Sequence, residues 1–397
     1  MRVCDLTHAY TDTSGGIRTT IDAKRRYILE HTDHEHVLIA PGAHDAVEHG
    51  DRTTTIRVAG PVIPGAAPYR FFLRADKLKA ALRAVQPDLI ELHTFYTSPW
   101  AAFSYRNERA ERPVAVTAFY HTDLPSAYVQ PVAAKLGAAV GERAKRWAEA
   151  YVRAVFDRCD RGFAVSDALV GVLERMGVAV PLAAVPLGVD LDTFHPSRRD
   201  PALRAKLGVA DDDLLLVYAG RMDSEKQVHV LADAVEHVDA ALHPRLVLAG
   251  QGPHRAALEA RAATSPRLTV LPYLEDKAAL ARLLASADVY VTAGPHETFA
   301  LSVVEAQASG LPVVGVEAGA LVHRVPPSVG RLGPVGDAVA FARNVEDVAA
   351  RRGALAAAAR SHVEARFSWS ETFQRLFREY EAALYSTRAI AYAPSTL

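Results

Sequence analysis

Short apolar runs that alternate with amphipathic stretches, and an interruption after which the alternation restarts, constrain this chain more than any other feature of its sequence. Runs beginning at Val37, Asp88, Val114, Gly162 and Leu182 are short and apolar enough for buried strands. Between several of them lie helical stretches, such as Arg74 to Val85 and Lys135 to Asp157. Strands separated by helices form a parallel sheet wound on both faces, because a parallel connection needs a crossover long enough to hold a helix. A polar, proline-containing stretch from Phe194 to Gly208 breaks the rhythm, which resumes with apolar runs at Leu214, Arg245, Arg267, Asp288 and Leu311. The expected architecture is therefore α/β with two Rossmann-like doubly wound domains, over residues 1–195 and 196–370, followed by a C-terminal helix over 371–397. A length of 397 residues with 50% hydrophobic content suits two cores better than one. In open sheets of this kind ligands bind beyond the carboxyl ends of the strands, so two such domains are expected to face each other across a cleft.

Composition narrows the partners. A net charge of −1 argues against nucleic-acid binding. Cys4 and Cys159 are too few for a disulfide scaffold and fit a reducing compartment. The start, MRVCDLTHAY, lacks the apolar core of a signal peptide, and no run approaches the ~18 apolar residues of a spanning helix. A cytoplasmic location is expected.

Chemistry concentrates at the predicted strand ends. Between Pro295 and Pro312, Glu297 and Glu305 flank an apolar patch. A helix starting near Phe299 would leave Glu297 in the loop before it and place Glu305 about two turns on, so that both carboxylates could face one ligand. The amides of Phe299, Ala300 and Leu301 would suit anionic oxygens. After the run at Leu214 comes Gly220-Arg221-Met222-Asp223-Ser224-Glu225-Lys226, a turn with two permanent cations that could hold a diphosphate; solvated charges are the plainer alternative. Gly250 and Gly252, in the turn Ala249 to Arg255, permit close backbone approach or positive φ. The loop after Arg267–Tyr273 carries Leu274, Glu275 and Asp276; its acidic groups could accept from a nucleobase or cap the next helix. In the first domain, Gly15 and Gly16 precede a helix expected near Thr19, and His121 follows the run at Val114. From Ala66 to Arg161 there are 15 Lys and Arg against 10 Asp and Glu, a basic face that could rest on an anionic membrane or simply be solvated.

Taken together these motifs resemble those of the retaining glycosyltransferases of the GT-B fold, family 4 (glycosyl transferases group 1). The paired glutamates resemble its E-x7-E signature, Gly220–Lys226 its G-R-x-x-x-x-K clamp, Gly250–Pro253 its G-x-G-P turn, and Phe367-Ser368-Trp369 its closing turn, after which a helix crosses back to the first domain. The likeness spans nearly the whole chain. It departs after Pro312, where Ala318-Gly319-Ala320-Leu321-Val322-His323 replaces the usual G-G-x-x-E.

The resemblance implies transfer of a hexose, of mannose or glucose type, from a GDP- or UDP-linked sugar to a hydroxyl of a lipid, glycan or small molecule. It assigns Arg221 and Lys226 to the leaving phosphates, Glu305 and the residues around Leu274 to the nucleoside, and Glu297 and His121 to the sugar. Gly15 and Gly16 would close over the diphosphate. No cofactor or metal is implied: Asp190-Leu191-Asp192 lies in a turn, and nothing in the sequence clusters His, Cys and carboxylates at ligand spacing. A sugar phosphorylase of the same fold and an inactive nucleotide-sugar binder are the alternatives. Contact with the inner face of a membrane through the first domain is a further expectation.

Overall fold

Strands buried on both faces are mostly apolar, and that is how the predicted runs are used, with Asp5 and Glu91 as buried exceptions. A computed structural model describes residues 1–11, 16–64, 67–109 and 112–391. Gly15 and its neighbour Ser14 lie outside the described residues. The chain forms two units, Met1–Pro186 with Trp369–Leu397, and Leu187–Ser368.

The first unit holds an eight-stranded sheet: β1 (Arg2–Leu6), β2 (Glu35–Gly42), β3 (Ala46–Gly50), β4 (Thr53–Ala59), β5 (Leu89–Leu92), β6 (Ala115–Tyr120), β7 (Arg161–Ala164) and β8 (Leu182–Ala184). Their order is β3-β4-β2-β1-β5-β6-β7-β8, parallel except for the β3–β4 hairpin at the edge. Sequence reading did not single out that hairpin, since Ala-Val-Glu-His-Gly of β3 is mostly solvent-facing and carries no apolar run. Strand order reverses between β1 and β5, which makes their C-terminal ends the switch point at which ligands bind.

The second unit holds β9 (Leu215–Ala219), β10 (Arg245–Ala249), β11 (Leu268–Leu271), β12 (Val289–Val291), β13 (Val313–Val316) and β14 (Gly330–Gly333). All are parallel, in the order β11-β10-β9-β12-β13-β14, which is the nucleotide-binding order with its switch point between β9 and β12. Arg204, only 1% exposed, ties the start of this unit together by donating to Ser286 O and Asp288 Oδ2, both at 3.0 Å.

Helix Trp369–Ala391 follows the Phe-Ser-Trp turn and belongs to the first unit. One face of it is apolar: Phe373, Leu376, Phe377 and Tyr380 are buried, and Tyr27 packs on Phe373 and Phe377 with ring centres 5.3 and 5.8 Å apart. Cys4 and Cys159 are buried free thiols. Among the described residues no helix is long and apolar enough to cross a membrane.

Candidate active site

The candidate side chains lie in two groups, one in each unit, both near carboxyl ends of strands. In the second unit the loops after β9 and β12 meet at the switch point. Lys226 Nζ reaches Glu297 Oε1 at 2.7 Å, joining the clamp to the first glutamate of the pair across 71 residues of sequence. Arg221 is also engaged, 2.7 Å from Asp223 Oδ2 and 2.9 Å from Glu225 Oε2. Burial raises the Glu225 carboxyl, but Lys226 and Arg221 outweigh it and hold the group below its ordinary range. The two cations are thus balanced by the carboxylates of their own loop and by Glu297. An anionic ligand would exchange with these contacts. Asp223 and Glu225 were not singled out from the sequence, although acidic residues between the Arg and the Lys of a tight turn are the natural counter-ions.

Glycines set the shape of this surface. A Cβ on Gly250 would lie 1.9 Å from Gly220 O, and one on Gly252 would lie 2.3 Å from Met222 O. The β10 turn runs that close because its backbone pairs with the β9 turn: Met222 N donates to Gln251 O at 2.8 Å, and His254 N to Met222 O at 2.9 Å. Gly319, at φ +53°, does the same on the other side, where an added Cβ would meet Glu297 O at 2.7 Å. Ala320 N donates to Glu297 O at 2.7 Å. The departing Ala318-Gly319-Ala320 stretch therefore braces the loop that carries Glu297.

The helix after that loop spans Leu301–Ala308, two residues later than the start expected near Phe299. Ala300 sits in the left-handed region at φ 63°, so the chain turns sharply before the helix opens, and the first free amides belong to Leu301 and Ser302. The Phe299 side chain (4% exposed) packs in the core. Arg324 holds it there, donating from Nε to Phe299 O at 3.2 Å with its guanidinium 4.3 Å from the ring centre. Nothing in the sequence pointed to Arg324.

Glu305 is half-buried in the fifth position of the helix. Burial raises its carboxyl to about 7, with Lys277 opposing the shift. Carboxyls displaced in this way by burial are frequent at functional sites and occur at structural positions as well. Lys277 starts the helix that Asp276 caps, accepting from Ala278 N at 2.9 Å and Ala279 N at 3.2 Å. Of the two readings open for Asp276, capping is the one realised. Leu274 is half-buried in the same loop. Asp190 accepts from Asp192 N, Thr193 N and Thr193 Oγ1 at 2.9 to 3.1 Å, so the D-x-D is a local turn.

The first unit presents His121, half-buried just after β6. Its ring stacks on Phe119 at 4.4 Å, and its Nε2 lies 2.8 Å from His93 Nδ1. Behind His93 are Asp5 of β1, Glu91 of β5 and Lys24 of helix Gly16–His31, which begins at Gly16 and not near Thr19. Lys24 is wholly buried and donates to Asp5 Oδ1 at 2.7 Å, Glu91 Oε1 at 2.6 Å and Tyr380 OH at 2.9 Å. Asp5, Glu91 and His93 bring three potential metal-ligand atoms within 4.8 Å of one another. The Lys24 ammonium fills the place between the two carboxylates, so the group is an ion-pair network. This cluster escaped sequence reading, because its members are scattered along the chain and only the sheet order joins them.

Residues 14–193 match the family described as Glycosyltransferase Family 4, and residues 213–351 match Glycosyl transferases group 1. A GDP-mannose-dependent alpha-(1-6)-phosphatidylinositol dimannoside mannosyltransferase of Mycobacterium tuberculosis is 34% identical, the alignment covering 83% of each chain. A GDP-mannose-dependent alpha-mannosyltransferase of Mycolicibacterium smegmatis is 31% identical over 97% of this chain and 98% of its own. Among solved structures, sucrose-phosphate synthase from Thermosynechococcus elongatus superposes with a TM-score of 0.75 at 21% identity, covering 96% of this chain and all of that one (100%). Anabaena HepE in complex with UDP-glucose gives a TM-score of 0.72 at 17% identity, over 96% and 100%. Sequence relatives of this extent, together with two Rossmann-like units and the switch-point residues above, place the protein in glycosyltransferase family 4, the group 1 glycosyl transferases of the GT-B fold.

Proposed function

We propose that this glycosyltransferase is a retaining, metal-independent mannosyltransferase that uses GDP-mannose and glycosylates a hydroxyl of a lipid acceptor of the phosphatidylinositol mannoside type. The observation that carries the reading is the joining of Arg221, Lys226 and Glu297 at the β9/β12 switch point, with Glu305 on the adjoining helix. The donor and acceptor are taken from the sequence relatives. Breaking the bond from the anomeric carbon to the diphosphate leaves a cationic sugar and an anionic leaving group. Catalysis then needs preorganised cations and amide donors on the phosphates. Arg221 and Lys226 exchange their carboxylate partners for phosphate oxygens, and the amides of Leu301 and Ser302 add the dipole of the helix start. Glu305 accepts from the ribose hydroxyls and Glu297 from a sugar hydroxyl, while His121 lies beside the transferred sugar. The acceptor attacks from the face the diphosphate leaves, and the departing phosphate oxygen takes its proton; no base from the protein is needed, and the configuration is retained.

The first unit supports a lipid acceptor through an exposed apolar stripe. Val132, Leu136, Val140 and Trp147 are 65, 81, 44 and 77% exposed, beside the exposed bases Lys135, Arg143 and Arg146. Spread over the short helix Gln130–Ala134, the turn after it and helix Ala138–Phe156, this is an interfacial pattern, suited to the anionic inner face of a membrane.

The test is a transfer assay with GDP-mannose, UDP-glucose and ADP-glucose on phosphatidylinositol mannoside in anionic vesicles, in excess EDTA, with the new linkage assigned by NMR. An α-mannoside formed from GDP-mannose alone is expected. A β-linkage, a strict Mg²⁺ requirement or preference for UDP-glucose would overturn the corresponding part. Phosphorolysis of a glycan by inorganic phosphate would favour the phosphorylase.

A further inference from the structure

The buried network behind His121 has a charge count that the phosphate-centred chemistry does not use. Asp5 and Glu91 are fully buried, and Lys24 supplies one positive charge to the pair. All three ammonium protons are directed, to Asp5, Glu91 and Tyr380, and Tyr380 OH in turn donates to Glu91 Oε2 at 2.8 Å. The second oxygen of Asp5 lies 2.9 Å from His36 Nε2, and Arg25 Nε donates to His36 Nδ1 at 3.1 Å. That contact requires an unprotonated Nδ1, so His36 is neutral and adds no charge. Among the fully buried groups, two carboxylates and one ammonium leave a net charge of −1, which is costly; the Arg25 guanidinium is only partly buried and stands beyond the neutral His36 ring. His93 is the remaining group within the cluster that can supply a positive charge. Its Nε2 lies 3.2 Å from Asp5 Oδ1 and 3.1 Å from Glu91 Oε1, without a hydrogen bond aimed at either oxygen, and at these ion-pair distances an imidazolium cancels the charge.

We propose that His93, charged and wedged between Asp5 and Glu91, is a positioning residue that locks His121 as its neutral Nδ1–H tautomer, a hydrogen-bond donor toward the transferred sugar. The geometry leaves little choice once His93 is charged. Both of its ring nitrogens then carry protons, and Nδ1–H must donate to His121 Nε2 at 2.8 Å. His121 Nε2 is therefore an acceptor, and the single proton of a neutral His121 sits on Nδ1. A second positive charge on His121 would stand directly against the first. Stacking on Phe119 at an interplanar angle of 9° fixes the plane in which Nδ1–H points. The ionisation tendencies agree with this assignment: burial opposes charge on His93 but the two carboxylates raise it overall, whereas burial and the charge of His93 hold His121 well below its ordinary value.

The inference rests on the reading of His121 as a residue beside the sugar, and one experiment separates the two. Protein labelled with ¹⁵N-histidine is titrated by long-range ¹H–¹⁵N correlation between pH 5.5 and 8, with His121→Ala and His93→Gln supplying the assignments. The wild type should show His121 neutral and Nδ1-protonated throughout, with both His93 nitrogens protonated. Resonances of a cationic His121 near pH 6, or of the Nε2–H tautomer, overturn the proposal without reference to any variant's activity. Glu91→Gln is nearly isosteric and removes the excess negative charge, so His93 should become neutral with its proton on Nε2, and His121 should switch to Nε2–H. Turnover should then fall roughly tenfold, as for one misdirected hydrogen bond, while nucleoside diphosphate affinity stays unchanged. A Glu91→Gln protein that keeps the wild-type tautomers and kcat also refutes it. If instead His121→Ala turns over normally while the wild-type tautomer is as stated, the lock stands and the placement of His121 beside the sugar fails.

Discussion

Replacing Glu305 by Gln should stabilise the second unit at alkaline pH and at the same time weaken the nucleotide. In the free protein burial raises the carboxyl to about 7 from the ordinary 4.5. The folded state therefore binds more protons than the unfolded chain between these values, and stability falls as pH rises through that window. Above about pH 7 the full penalty applies. A shift of about 2.5 units corresponds to an upper limit of ~3.5 kcal/mol, at ~1.4 kcal/mol per unit. Gln keeps the shape and removes the charge, so the variant should gain stability at pH 8 and little at pH 5. For a unit of this size each kcal/mol moves the melting temperature by roughly 2–4 °C, which makes the gain at pH 8 several degrees. Binding moves the other way. A carboxylate accepting ribose hydroxyls is worth about 1.5–3 kcal/mol as a charged hydrogen bond, so affinity for GDP should fall roughly 10- to 150-fold. In the wild type, binding needs the ionised form, so affinity should weaken by up to about tenfold per unit as pH drops below 7, whereas the variant should be flat there. Differential scanning calorimetry at pH 5 and 8, with calorimetric GDP titration at both, reads all four quantities. A variant that melts lower at pH 8, with GDP affinity unchanged, would refute both the buried-charge argument and the nucleoside role.

Arg221→Ala should lower kcat at least ~100-fold, the scale for losing one preorganised charge-stabilising donor, while the melting temperature hardly moves because the side chain is largely exposed; unchanged turnover would remove Arg221 from phosphate stabilisation. Excess EDTA should leave the initial rate of mannosyl transfer unchanged, and a loss restored only by Mg²⁺ or Mn²⁺ would contradict charge stabilisation by the protein's own cations. Gly250→Ala should cost ~2 kcal/mol or more, since its Cβ would lie 1.9 Å from Gly220 O and force apart the two turns below the clamp, and a melting temperature within 1 °C of wild type, on the order of experimental error, would show that the turns are free to separate.

Much of this protein is determined locally and can be read without coordinates. The runs at Val37, Asp88, Val114, Leu214, Arg245 and Leu311 become β2, β5, β6, β9, β10 and β13, because a central parallel strand needs a short, mostly apolar segment and little else supplies one. Asp276 as a cap, the stripe Phe373–Leu376–Phe377–Tyr380, and glycines at Gly250 and Gly252 are likewise properties of a few neighbouring residues. The β3–β4 edge was invisible because an exposed strand has no such signature. Tertiary structure alone decided the electrostatics. Lys226 finds Glu297 because β9 and β12 are neighbours at the switch point, and Arg324 reaches Phe299 because the segments that carry them fold together beyond β12 and β13. Lys24, Asp5, Glu91, His93 and Tyr380 meet because a helix after β1 and the last helix of the chain lie against β1 and β5. Ion pairing acts over a few ångströms and is indifferent to sequence separation. Its partners are therefore fixed only when the strand order is.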